Sequence, residues 1–249
     1  MTLHDWFTNE NNPALENYLY GTRHIIMLVI TAILCVGLSL LFYKKSKKTQ
    51  NIVLYVLAGI LLFFEITSRI INLVIEPNLN FMGFLKIMLP MHICSVMVWV
   101  FIIGIFTKKE ILYTYSVIGG ILATIAFLLY PAVGINRTFM SFTCIYSTVS
   151  HMTGFVCCIL LIVFKKPNFD FRKIWQPFVC FAIMFAWGAI CNFVIFPGSD
   201  YMYMVNDPLG LNLNFPYQIL YIFLISIYTT LFYLIPFIIK KIKSRKQIN

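Results

Sequence analysis

The sequence predicts an all-α integral membrane protein with seven transmembrane helices, an extracellular N-terminus and a cytoplasmic C-terminus. Composition gives the first reason: 60% of the 249 residues are hydrophobic and only 11% are charged, whereas a soluble domain carries roughly 25% charged residues. Charge placement gives the second, because fifteen of the nineteen Lys and Arg residues lie in four short patches. The patches are residues 44–48, 108–109, 165–173 and 240–246, with long apolar stretches between and around them.

Each apolar stretch is long enough to cross a bilayer, for which a helix needs about 20 residues. The predicted spans are residues 24–43, 52–75, 85–106, 111–130, 143–164, 174–196 and 217–239. Basic residues that flank spans stay on the cytoplasmic side, and all four patches satisfy this rule when the N-terminus is outside. We therefore expect a multi-pass protein of the cell membrane, with one transmembrane domain over residues 1–249. Its outer segment is 1–23, its long outer loop is 197–216 and its basic cytoplasmic tail is 240–249.

Several classes of protein are excluded by the same residues. The net charge of +10 lies at span ends, where it sets topology and meets anionic lipid heads, so we expect membrane lipids and no nucleic acid as partners. All seven Cys residues fall within spans, which argues against a disulfide framework. The seventh span contains no Lys, which excludes a retinal Schiff base there, and the chain has neither a nucleotide-binding loop nor a G-x-S-x-G motif.

Ionisable side chains within the spans crowd toward the outer half of the membrane. His92 and His151 lie seven and eight residues into spans that enter from outside, roughly 10–12 Å below the outer boundary at about 1.5 Å per helical residue. Glu65 lies ten residues from the outer end of the second span, and Arg69 lies six. Shallower on the same side are His24 and Asn192. Because such groups usually face a protein interior or a cavity, we expect a polar cavity that opens outward.

The outer loop at 197–216 is expected to cover this cavity. Its length and its aromatic residues, Tyr201 and Tyr203 among them, are typical either of a functional loop or of an interfacial cover. The ligand-binding residues expected from depth and position are Arg69, His24, Asn192, Tyr201 and Tyr203.

Three interpretations of the buried polar residues stay open at this point. Glu65 and Arg69 are spaced i, i+4, so they could simply neutralise each other. Alternatively, Cys94 could be a thiolate nucleophile activated by an imidazole. On one continuous helix His92 would face away from Cys94, which makes His151 from another helix the better base.

A metal site is the third interpretation, with His24, His92, His151 and Glu65 as ligands. The spans contain no H-x-x-x-H pair, which usually anchors such sites on one helix. We therefore expect no metal and no other cofactor.

Short segments along the chain resemble those of YwaF-like bacterial integral membrane proteins. Residues 89–95, Leu-Pro-Met-His-Ile-Cys-Ser, are similar to the L-P-x-H-x-C-S stretch of that family. Residues 200–204, Asp-Tyr-Met-Tyr-Met, and the prolines and tyrosine that follow up to 217 are similar to its N-Y-M-Y-L…P…W-P-x-Y segment. Further matches, in the first two spans, are Gly21, His24, Glu65 and Arg69. The resemblance thus covers nearly the whole chain.

This resemblance implies a function for the outward-facing cavity. The bacterial family is distantly similar to an animal family regarded as cysteine-dependent phospholipid acyltransferases, in which the cysteine directly precedes the histidine. Met91 stands at that position here, so the resemblance carries the fold, the cavity and the importance of His92 rather than that cysteine.

The predicted function is a phospholipid acyltransferase or lipid hydrolase, with a transporter or non-catalytic small-ligand binding protein as the alternative. In the enzyme, His92 or His151 would be the general base and Cys94 the nucleophile. Glu65 would orient the base, and Arg69 would bind a lipid phosphate.

Overall fold

The computed structural model describes residues 19–76, 78–131, 141–206 and 216–246. Most of those residues are helical, and none of them forms a strand. In chain order the helices are α1 (Thr22–Phe42), α2 (Lys47–Ile75), α3 (Phe81–Met88), α4 (Ile93–Thr107), α5 (Glu110–Leu129), α6 (Phe142–Val163), α7 (Trp175–Ile190) and α8 (Tyr217–Lys246). Outside the described residues lie 1–18 of the predicted outer segment, residues 77, 132–140 and 207–215 of the outer connections, and 247–249 of the tail.

Six spans are long and apolar enough to cross a membrane, and the pair α3 and α4 makes a seventh if it is counted as one. The all-helical membrane fold is therefore confirmed, but the prediction of one continuous helix over residues 85–106 is wrong. The two pieces of this broken span meet at 60°. Pro90 explains the break, because proline disfavours the helical conformation in the residue before it. Leu89 accordingly has φ −83° and ψ 138°.

Two helices also extend beyond their predicted spans into basic residues, α2 at its start and α8 at its end. α2 begins at Lys47 rather than at residue 52, because Ser46 caps its first turn by accepting a hydrogen bond from the Thr49 backbone N–H at 3.2 Å. α8 continues to Lys246, so most of the predicted basic tail belongs to a helix. A transmembrane helix can continue into water, since its backbone hydrogen bonds are satisfied internally.

Helix α5 lies at the centre of the bundle and packs against α4, α6 and α7, while α1 packs on α6 and α2 on both α4 and α6. Two adjacent glycines allow the close approach. A Cβ atom on Gly119 would lie 2.7 Å from the Met97 sulfur, and one on Gly120 would lie 2.6 Å from the Cys158 sulfur. Small residues at such contacts are typical of helix packing in membranes, where dispersion rather than the hydrophobic effect drives association.

The structure gathers the basic patches at one end of this bundle. Lys166, between α6 and α7, lies within electrostatic range of Lys47 and Lys108, which come from two other connections. In the same region Lys173 forms an ion pair with Glu110 at 2.5 Å. The predicted topology also puts these basic connections on the same side of the membrane, so the structure agrees with it in this respect. That the basic end faces the cytoplasm stays a prediction.

Candidate functional site

The Glu65 carboxylate is the centre of a buried polar network that joins α2, α4 and α6. Its Oε1 atom accepts hydrogen bonds from Ser95 Oγ at 2.8 Å and from Trp99 Nε1 at 3.1 Å, and it lies 2.6 Å from the Arg69 guanidinium. Its Oε2 atom accepts from the Tyr146 hydroxyl at 3.2 Å. Glu65 is only 2% exposed. A buried charge needs such partners, because burying it without them costs several kcal/mol.

Arg69 connects this network to the broken span. Its Nε donates to the Met88 carbonyl at 3.1 Å, and its Nη1 donates to the Glu65 backbone carbonyl at 3.1 Å. The guanidinium also lies over the Trp99 ring, 5.7 Å from the centroid, in a cation–π arrangement. The interpretation of Glu65 and Arg69 as a neutralising i, i+4 pair is therefore confirmed. Since Met88 is the last residue of α3, the same arginine also satisfies a carbonyl at the break.

The non-helical backbone between α3 and α4 is held from two sides. Arg69 binds the Met88 carbonyl, and Trp187 of α7 donates its indole N–H to the Pro90 carbonyl at 2.9 Å. Unpaired carbonyls at membrane depth cost several kcal/mol, so irregular backbone occurs there only where protein or water satisfies it. The hydrogen bonds from α2 and α7 therefore stabilise the break as part of the fold.

His92 sits at this break and has an exposed ring. It is the N-cap residue of α4, with extended backbone at φ −93° and ψ 151°, so it does not lie on one helix with Cys94 as predicted. The predicted depth of His92 was counted along a continuous helix from residue 85, and that count does not apply across the break. The edge of its ring meets Tyr201 at a centroid distance of 5.3 Å. Within the described part of the chain, its ring nitrogens make no hydrogen bond, and the Asp200 carboxylate is in electrostatic range.

Cys94 is the second residue of α4, on the side of the Glu65 network. It lies within electrostatic range of Glu65 and of the Tyr146 phenol, and it is half-buried. None of the seven cysteines, all of which lie in the described residues, is assigned to a disulfide. The start of α4 thus carries both His92 and Cys94, and the cysteine lies near a buried carboxylate.

The outer loop is clamped beside His92 by a buried amide. Asn192 accepts from the Tyr201 backbone N–H at 2.7 Å and donates to the Tyr201 carbonyl at 3.0 Å. The Tyr201 side chain is buried, and its hydroxyl has no hydrogen-bond partner among the described residues. Tyr203, in contrast, is 56% exposed. Asn192 therefore positions the loop through its backbone, and Tyr201 brings a polar atom into an apolar layer beside His92.

Asp200 folds the same loop back on itself. Its carboxylate accepts hydrogen bonds from the Val205 backbone N–H at 2.8 Å, and from the backbone and side-chain N–H groups of Asn206 at 3.1 Å each. Burial raises the pKa of Asp200, but these hydrogen bonds outweigh it and hold the pKa below its ordinary value. The carboxylate therefore stays ionised at neutral pH and faces His92 with a negative charge.

The other two histidines of the spans, His24 and His151, bind backbone carbonyls. His24 Nε2 lies 2.7 Å from the Leu128 carbonyl and its Nδ1 accepts from the Tyr20 backbone N–H at 3.0 Å, so the side chain ties α1 to the end of α5. His151 Nδ1 lies 2.7 Å from the Ser147 carbonyl one turn earlier, and its ring stacks on Phe127 at 3.8 Å. A single cavity shared by these histidines with His92 and Glu65 stays a prediction.

No three His, Cys, Asp or Glu side chains of the described residues come together as a metal ion would require. The alternative ligand set of His24, His92, His151 and Glu65 is therefore not assembled here. His24 already uses both ring nitrogens on the backbone.

Sequence reasoning missed three aromatic residues of the site: Trp99, Tyr146 and Trp187. A signal for them existed, because buried Trp N–H and Tyr O–H groups usually find a hydrogen-bond partner. Aromatic residues at the level of polar groups on neighbouring spans were therefore candidates to bind those groups.

Comparison with known proteins places the chain in a family. No curated protein and no solved structure matches it. The model of the TMEM164 family matches residues 19–236, which include every described helix that forms the site. The chain is therefore a multi-pass membrane protein that belongs to the TMEM164 family.

Proposed function

We propose that the protein acts on phospholipids in the outer leaflet of the cell membrane, as an acyltransferase or lipid hydrolase centred on His92. The observation that supports it best is the state of the three histidines in the spans. His24 and His151 bind backbone carbonyls, whereas the His92 ring is exposed, makes no described hydrogen bond and sits at a break in a span. A general base needs such an accessible nitrogen. The proposed likeness to YwaF-like proteins points to the same residue.

In the proposed reaction His92 takes the proton from Cys94 as the thiol attacks the ester carbonyl of a phospholipid. The carbon–oxygen ester bond breaks, His92 returns the proton to the departing lysolipid oxygen, and a thioester forms on Cys94. A second lysolipid or a water molecule then attacks this thioester and frees the thiol.

The remaining residues have positioning roles in this proposal. Glu65 and Arg69 hold α4 and the end of α3, and Asn192 holds Tyr201 against the His92 ring. The unpartnered Tyr201 hydroxyl is suited to donate a hydrogen bond to the ester carbonyl or to the oxyanion that forms from it. Arg69 is already bound to Glu65 and Met88, so we assign it to the break rather than to a lipid phosphate.

The test is acyl release and transfer by the purified full-length protein in lipid nanodiscs. Phosphatidylcholine with a labelled acyl chain is the donor, lysophosphatidylethanolamine is the acceptor, and lipid mass spectrometry is the readout. We expect His92→Asn to lower the rate by roughly 100-fold or more, as for loss of a general base. Cys94→Ala should abolish both transfer and thioester formation. The matched controls are His151→Asn and Cys144→Ser, which should keep the rate within a few-fold.

The pattern of loss separates the possibilities. If activity is lost with His92→Asn but kept with Cys94→Ala, the reaction proceeds by direct attack of water on the ester and not through a thioester on Cys94. An inactive wild-type protein with every phospholipid class supplied, or equal effects of His92→Asn and His151→Asn, would contradict the proposal.

A transporter or ligand-binding protein is the second candidate, and the discontinuous third span favours it. Substrate sites of many transporters are formed by interrupted helices near the middle of the membrane. Flux or binding of a solute that needs His92 and survives Cys94→Ser would support this candidate over the enzyme.

A further inference from the structure

The outer-loop segment 200–204 contains two adjacent residues with a left-handed backbone. Met202 has φ 61° and Tyr203 has φ 53°, in a region that residues other than glycine rarely adopt and that costs them free energy. The other non-glycine residues of this kind in the described chain stand singly, and Lys108 and Lys165 among them lie at helix ends, where the conformation is common. The adjacent pair does not end an α-helix, so contacts around it must hold its strain in place.

Side chains at the start of α8 hold one side of this segment. The Tyr217 hydroxyl donates a hydrogen bond to the Tyr203 carbonyl, and the Gln218 amide donates to the Met204 carbonyl at 3.0 Å. One of these carbonyls belongs to a strained residue and the other follows it directly. The two hydrogen bonds from α8 therefore fix the backbone at the C-terminal end of the segment.

Helix α7 holds the other side of the segment. Asn192 binds the backbone of Tyr201 through two hydrogen bonds, and Gly188 makes room for two methionines. A Cβ atom on Gly188 would lie 2.9 Å from the Met202 sulfur and 2.8 Å from the Met204 sulfur. The segment is thus fastened to two helices by packing and by hydrogen bonds, and a strained backbone persists only where its surroundings determine it in this way.

A third unfavourable feature lies within the same five residues. The Tyr201 side chain is buried, and its hydroxyl has no hydrogen-bond partner among the described residues. Burying an unpaired hydroxyl costs free energy, and a partner would remove that cost. The Tyr201 ring lies 5.3 Å from the exposed His92 ring, measured between centroids. An ester carbonyl bound beside His92 would therefore offer this hydroxyl an acceptor.

We propose that residues 200–204 are a strained strap with two positions, fastened and released. The fastened position is the one described above. In the released position the hydrogen bonds between Asn192 and Tyr201 open, the two left-handed residues relax, and the Tyr201 hydroxyl donates to the ester carbonyl of a lipid beside His92. The lipid shifts the equilibrium because it supplies this acceptor in the released position alone. The nature of the ligand rests on the proposed function, whereas the two positions of the strap do not.

Hydrogen exchange at residues 200–206 measures the released fraction without requiring turnover, and the full-length protein in lipid nanodiscs is used. Tyr203→Gly should slow this exchange roughly fivefold, because glycine adopts the left-handed conformation without strain and the ring that is lost is exposed. Val205→Gly is the matched control, since Val205 is also exposed but its φ is not positive. The same change should there speed exchange. Faster exchange in Tyr203→Gly would overturn the strain on which the strap rests.

Gln218→Leu tests the fastening from α8. The change keeps the approximate size of the side chain but removes the donor to the Met204 carbonyl. Exchange at residues 200–206 should become faster by roughly fivefold, as expected for the loss of one hydrogen bond, while exchange in α5 stays slow. Unchanged exchange in the strap would show that α8 does not fasten it.

Nanodiscs of diester phosphatidylcholine and of its diether analogue test the released position, because the diether lacks the ester carbonyls. In a Cys94→Ala background, which blocks the proposed turnover, exchange of the Tyr201 N–H should be faster in the diester lipid. Tyr201→Phe should remove the difference between the two lipids. Equal exchange in both lipids would overturn the released position, even if the wild-type protein transfers acyl chains. A difference between the lipids in a protein without acyl transfer would leave the strap standing and contradict only the proposed function.

Discussion

At the scale of single residues, the charges of Glu65 and Arg69 and the rings of His24 and His151 are bound to one another or to the backbone. Glu65 uses both carboxylate oxygens, and Arg69 binds two carbonyls as well as the carboxylate. Removing the partner of either charge would cost several kcal/mol of stability, because water cannot replace that partner inside the bundle. The exposed, unbonded ring of His92 differs from this pattern, which makes it the residue most suited to chemistry.

The Glu65–Arg69 pair predicts non-additive effects on stability. We expect Glu65→Gln and Arg69→Gln each to lower the free energy of unfolding by about 3–5 kcal/mol, since each leaves a buried charge unpaired. The double variant should lose less than the sum. Thermal unfolding in detergent measures this, and Glu110→Gln is the control, because its half-exposed pair with Lys173 is worth about 0–1 kcal/mol. Strict additivity would show that the two residues do not interact.

The Asn192 amide predicts a local effect on the outer loop. Asn192→Leu keeps the size of the side chain but leaves the Tyr201 N–H and carbonyl without partners, which should cost about 1–3 kcal/mol. Hydrogen exchange at residues 200–206 should become faster, while exchange in α5 stays slow. Asn206→Ala, which removes one exposed hydrogen bond to Asp200, is the control and should change exchange little. Unchanged protection in Asn192→Leu would mean that the loop is held by other contacts.

At the scale of elements, the broken third span matters most for the site. Proline at residue 90 was visible in the sequence, and its effect on the preceding residue is a local rule. Apolar length alone favoured a continuous span, because hydrophobicity measures transfer into lipid and carries no information on backbone shape. The break is stable because Arg69 and Trp187 satisfy the Met88 and Pro90 carbonyls, and those partners come from other helices.

Close packing of α5 predicts different outcomes for two glycine substitutions. Gly120→Ala would place a methyl group 2.6 Å from the Cys158 sulfur, so α6 must shift, and we expect a loss of about 1–3 kcal/mol from overpacking. Gly37→Ala meets nothing within 4 Å and should be neutral or stabilise α1 by about 0.5–1 kcal/mol. Melting temperatures in one detergent compare the two. Equal effects would mean that α5 and α6 are not closely packed at Gly120.

At the scale of the whole molecule, the basic patches predict how the bundle is inserted. Lys109 and Val205 are exposed at the basic end and in the outer loop. In a cysteine-free background, Val205→Cys should react with an impermeant thiol reagent in intact cells, and Lys109→Cys should react only after the membrane is opened. Labelling of Lys109→Cys alone in intact cells would invert the topology and move His92 to the cytoplasmic side.

The sequence by itself determined the class of protein, all-helical and multi-pass, and the connections in which the basic residues lie. These follow from apolar length and from charge next to each span, which are local properties of the chain. It also gives the position of each polar residue along its own helix, except where Pro90 breaks the helical rise, and the depth of these residues in the membrane stays a prediction. The i, i+4 spacing of Glu65 and Arg69 was sufficient to predict their ion pair.

Only the tertiary structure decided which partners those residues have. Height in the membrane is one coordinate, whereas a contact also requires the rotation of each helix and the identity of its neighbours. Ser95, Trp99 and Tyr146 meet Glu65 because α4 and α6 both pack against α2, and His24 lies on the Leu128 carbonyl because α1 lies near the end of α5.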